Sequence, residues 1–162
     1  MSVLYWTERA GRSHRSRAMA YWELRLECAI KADDPEPLRA ELGSIGHFFL
    51  WDFDHLWLLD QLQMMLAGGF APNHAFGVLD ALAKLLPEHV DKVVEVNNAL
   101  VRQPRLESWI FAAQDNALRR ILVEDKASRT PGTDTRVMEI VSYLASRGNH
   151  GFLDLDSSSG KE

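Results

Sequence analysis

The chain has 162 residues, 46% of them apolar and 25% charged, which is enough for one domain burying roughly 70% of its unfolded surface and unlike the composition of a disordered segment. A formal net charge of −5 excludes a broadly basic nucleic-acid binder and leaves only local patches to contact phosphate. The single cysteine, Cys28, excludes an internal disulfide framework and a thiolate metal cluster, and a reducing cytoplasm is the expected compartment.

The opening MSVLYWTERAGR lacks the continuous apolar core of a signal peptide. The most apolar region is interrupted by Asp52, Asp54, His55 and Asp60, so neither secretion nor a membrane span is expected. Residues 1–14 read as a basic arm, because ERAGRSHRSR gathers Arg9, Arg12, Arg15 and Arg17 ahead of the first long helix. Such a cluster either contacts phosphate or is a solvated arm.

From Arg15 to Ala32 the apolar positions Met19, Trp22, Leu26 and Ile30 step by three or four and predict one buried helical stripe. Asp34 then offers an acceptor to the next turn and Pro35 suits a first helical position. The second helix continues the stripe through Leu38, Leu42, Ile45 and Phe49. A third carries Leu56, Leu59, Leu62 and Leu66 and stops at Gly68 and Gly69, which tolerate the left-handed cap conformation.

Pro72 is expected to open a fourth helix with Phe76, Leu79, Ala83 and Leu86 on one face, and Pro87 a fifth with Val90, Val93, Val94 and Val101. PRLES begins a sixth, burying Leu106, Trp109, Ile110, Ala113, Ala117 and Ile121. After the polar KASRTPGTDT, a seventh uses Val137, Ile140, Val141 and Leu144 and stops at Gly148. Residues 15–150 therefore form one all-α domain of about seven helices, and 151–162 read as a flexible tail.

Helix pairs of about 30 to 40 residues begin near Pro35, Pro72 and Arg105, which favours stacked antiparallel pairs, a short α-solenoid, over an irregular helical bundle. In pair length, in the prolines of DPEPLRAEL and FAPNHAFGVLDALAKLLPEHV, and in helices such as VDKVVEVNNALV and WIFAAQDNALRRIL, the chain resembles HEAT-type helical repeat proteins. The closing SYLASRGNHGFLDL is similar to the ends of helical regions that terminate large multidomain bacterial proteins. The resemblance implies a binding module and transfers no catalytic residue.

HFFLWDFDHLWLLD, residues 47–60, brings His47, Asp52 and His55 close in sequence. They are either ligands of a metal-dependent enzyme or, for the aspartates, helix caps and, for His55, a histidine on a buried stripe. No HExxH, phosphate loop or nucleophile elbow occurs, so no cofactor and no catalytic residue is expected. Asn97, on the valine face, either bridges neighbouring helices or faces a groove. Arg119 and Arg120 form a basic cluster at an expected helix end. Trp51 and Trp57 find no obvious buried place and, with those arginines, are the leading contacts to a protein partner. The expected function is a non-catalytic scaffold or protein-binding module, with nucleic-acid binding through the arginine arm as the rival.

Overall fold

The computed structural model describes residues 12–51, 53–106, 115–127 and 133–155. Arg9, Asp52, Trp109, Ile110 and Ala113 lie outside them. Among the described residues there are seven α-helices, two 3-10 helices and no strand, and none of the helices is long and apolar enough to cross a membrane.

Helix α1, Arg12–Lys31, starts earlier than expected, so Arg15 and Arg17 belong to its first turns rather than to an arm ahead of it. Its buried residues are Ala18, Trp22, Leu26 and Ala29, and the small Ala29 takes the inward place expected for Ile30, which is exposed. Arg25 ties α1 to the next helix by donating from Nε and Nη2 to Glu41 Oε2 at 3.0 and 2.6 Å.

Asp34 Oδ1 accepts the amide of Glu36 at 3.1 Å, Pro35 sits at the cap, and α2, Glu36–Leu42, follows. The chain then tightens into a 3-10 helix, Gly43–Leu50. Three residues per turn put positions three apart on one side, so Leu42, Ile45 and Phe48 all point into the core. Phe49, expected there on an α-helical spacing, is only partly buried, and Leu50 is turned out to solvent.

Asp54 caps α3, His55–Ala67, by accepting the Trp57 amide at 2.8 Å. This helix buries Leu58, Leu59, Leu62, Met65 and Leu66, while Leu56, expected on the same stripe, is exposed. The helix closes where expected, with Gly69 at φ +76°.

Helix α4, Ala75–Leu85, starts after His74 rather than at Pro72, because Asn73 is held by the previous pair: its amide donates to Gly43 O at 2.8 Å and its Nδ2 to Ala40 O at 3.2 Å. Helix α5, Val90–Val101, likewise starts after His89 rather than at Pro87. The amides of Glu88 and His89 both return to Leu85 O at 3.1 Å and so finish the preceding helix.

Helices α6, Asp115–Ala127, and α7, Thr133–Ser146, bury Ala117, Leu118, Ile121 and Leu122 from one and Val137, Ile140, Val141 and Leu144 from the other. A left-handed Gly148 at φ +87° ends α7. The chain does not loosen at 151: Phe152 and Leu155 are buried around a second 3-10 helix, Leu153–Leu155, so the packed body extends five residues into the expected tail.

Helices two apart stack, α3 on α5 and α4 on α6, while successive helices from α4 to α7 also touch. Two layers of stacked helix hairpins result, with one apolar cluster running from Ala18 to Leu155. Polar groups lock neighbouring hairpins. The buried Gln103 donates from Nε2 to Leu66 O at 2.9 Å, a second donor beside the Gly69 amide at 3.0 Å to a carbonyl in the last turn of α3. Arg147 Nη2 likewise donates to Leu106 O at 3.2 Å.

Candidate functional site

An apolar groove of about 310 Å³ lies between the 3-10 helix, the start of α3 and the outer face of α4, lined by Phe49, Leu50, His55, Gly77, Ala81, Lys84, Leu85 and Glu88. The tight 3-10 winding that takes Ile45 and Phe48 inward leaves Leu50 at its mouth, 80% exposed. Gly77 lines it from the α4 side. A Cβ there would meet nothing within 4 Å, so no packing contact explains a glycine in the middle of α4, where it costs roughly 0.5 to 1 kcal/mol relative to alanine.

At one end of the groove three potential metal ligands converge. His55 begins α3, Glu88 lies in the α4–α5 turn, and His89 precedes α5. His55 Nδ1 is 3.8 Å and His89 Nε2 3.9 Å from Glu88 Oε2, and one ligand atom from each residue lies within 4.8 Å of the others. The two imidazole rings stand 6.2 Å apart at 79°.

This is not the set expected from the sequence. His47 is directed elsewhere and meets His74, with ring centroids 5.6 Å apart, while Asp52 lies outside the described residues. His55 lies on the helical face of Leu58 and Leu59, but as the first residue of α3 it projects past the end of the core, and its side chain is 45% exposed. Glu88 and His89 are 33 and 34 positions beyond His55, and the stacking of α3 on α5 brings them together.

Trp51 and Trp57 both find partly buried places against the core. Trp57 stacks on Phe53 at 5.8 Å and meets Phe48 edge-on at 6.3 Å. Its Nε1 donates to Glu23 Oε1 at 2.7 Å. Trp51 packs partly buried against the same core. Within HFFLW the apolar residue that faces solvent is Leu50, which sequence spacing did not single out because the stretch offers four apolar candidates for two or three inward positions.

Arg119 and Arg120 fall within α6 rather than at a helix end. Arg119 donates to Asp154 Oδ2 at 2.6 Å and to Gly151 O, and lies over the Phe152 ring at 5.4 Å, so it anchors the C-terminal segment; Arg120 is exposed. The hydrogen bond from Arg119 holds the Asp154 carboxyl below its ordinary value. Asn97 is fully buried, yet its Oδ1 and Nδ2 have no hydrogen-bond partner among the described residues, so it bridges nothing there.

A wider, more open depression of about 550 Å³ lies between α5 and α7, lined by Asn98, Ala99, Arg102, Thr135, Arg136 and Glu139. Its charges are committed to structural pairs: Arg102 with Glu139 at 2.7 Å, and Arg136 Nε with the buried Asp125 at 2.9 Å. No protein-family model, curated protein or solved structure matches this chain.

Proposed function

We propose that the chain is a non-catalytic protein-binding module that receives an apolar side chain of a partner in the groove between the 3-10 helix and α4. The observation that carries this reading is Leu50, a large apolar residue 80% exposed at the mouth of an apolar groove. Leaving such a side chain in water forgoes about 1.5 to 3 kcal/mol of burial free energy, which a partner would recover. Gly77 supports the same reading, since the bare α4 backbone admits close approach of a second chain. Lys84, His55 and Glu88 give the groove a polar rim around an apolar centre, the usual anatomy of a protein interface. Stacked hairpins, the layout of the HEAT-type proteins that the sequence resembles, present this kind of inter-helix surface to other proteins.

The test compares four immobilised proteins: the wild type, Leu50→Asp, Gly77→Trp and the control Val123→Asp on the exposed side of α6. Circular dichroism confirms that each is folded. Proteins retained by the wild type and the control, but released by both groove variants, support the assignment. An identical retained set for all four overturns it.

A further inference from the structure

We propose that His55, Glu88 and His89 form a binding site for a divalent transition-metal ion of the zinc type. The inference is independent of the docking proposal, because it concerns a different ligand and its test needs no partner.

Two imidazoles and one carboxylate are a donor set that suits zinc and its neighbours. Bonds of about 2.0 to 2.1 Å in a tetrahedral shell place ligand atoms about 3.3 Å apart. The observed separations of 3.8 and 3.9 Å from Glu88 Oε2 exceed that by roughly half an ångström, within reach of small rotations of the exposed His55 and Glu88 side chains toward the half-buried His89. The backbone beneath them is fixed. Asp54 caps the turn that starts with His55, the amides of Glu88 and His89 are bonded to Leu85 O, and His89 O accepts the Val93 amide at 2.9 Å.

The side chains, by contrast, are uncommitted. His89 occupies the cap position of α5 without making a side-chain cap bond, and among the described residues the polar contacts of His55, Glu88 and His89 are with one another. Both histidines sit at positive helix ends, which disfavours a cation. The Glu88 carboxylate, 3.8 and 3.9 Å from the two imidazoles, offsets this. His47 and His74 form a comparable ring pair but have no third donor near enough among the described residues, so they serve as the internal control. Three protein ligands leave one position on a four-coordinate ion for water or for a donor from another molecule.

The untagged full chain is titrated with zinc ion by calorimetry, and with cobalt ion while visible absorption is recorded. One equivalent should bind, with the cobalt spectrum of a tetrahedral site. Affinity should fall at least about tenfold in His55→Ala, in His89→Ala and in Glu88→Gln, and should be unchanged in His47→Ala and Cys28→Ser. His55 is exposed at the end of α3, so its alanine variant tests the site without disturbing the core. Absence of saturable binding overturns the proposal, as does binding that survives His55→Ala and Glu88→Gln or disappears in His47→Ala or Cys28→Ser.

Discussion

Trp57 and Glu23, 34 residues apart, are joined by a 2.7 Å hydrogen bond from the indole Nε1 to the carboxylate. The bond fastens α3 to α1 over the edge of a cluster made of Trp22, Phe48, Phe53 and Trp57. Trp57 is therefore a packing residue with one polar end held in place.

Replacing Trp57 by alanine removes a large ring from this cluster and should destabilise the fold by about 2 to 4 kcal/mol, at or just below the range for aromatic truncation because the ring is only partly buried. Glu23→Gln keeps an acceptor in place and should change stability by less than about 1 kcal/mol, as befits an exposed partner. Urea unfolding followed by circular dichroism measures both. A Trp57→Ala protein as stable as the wild type would return this residue to the list of surface contacts.

Acid should loosen the C-terminal segment. Asp154 has its carboxyl held below the ordinary 3.8 by the Arg119 hydrogen bond, with the Arg119 charge and the Leu155 amide acting in the same direction. A carboxyl lowered by folding adds stability above its unfolded pKa and loses it as pH falls through the folded value. Asp154→Asn should therefore speed amide exchange at Leu153 and Leu155 near neutral pH, and the difference from the wild type should vanish in acid once Asp154 is protonated.

Asn97 is the clearest candidate for a stabilising change. Its amide is fully buried and has no partner among the described residues, so each unmet polar group carries a desolvation penalty. Leucine has nearly the same shape, and Asn97→Leu should raise stability by about 1 to 2 kcal/mol, read as a higher urea midpoint. A loss of stability would mean that the amide is satisfied in solution, for instance by a buried water.

Gly77→Ala should stabilise α4 by about 0.5 to 1 kcal/mol, since the added Cβ meets nothing within 4 Å and alanine restricts the unfolded chain. Thermal unfolding checks this directly. If the variant is more stable but binds a partner more weakly than the wild type, the glycine is there for the groove and not for the helix.

Where the sequence constrained the answer, it did so through interactions within a turn or two of chain. Asp54 as the cap of α3, the left-handed glycines 69 and 148 and the valine face of α5 were all legible, because capping, backbone freedom and 3.6-residue periodicity involve near neighbours. The inward faces were less so. In GSIGHFFL a change from 3.6 to three residues per turn moved Phe48 inward and Leu50 out, and no local pattern distinguishes the two windings in so apolar a stretch. What the tertiary structure alone decided is which distant groups meet: His55 with Glu88 and His89 rather than with His47, Trp57 with Glu23, and Arg119 with Asp154. Each of these depends on the order in which hairpins stack and on the rotation of each helix about its axis, which are fixed by packing across the whole apolar core and not by any segment taken alone.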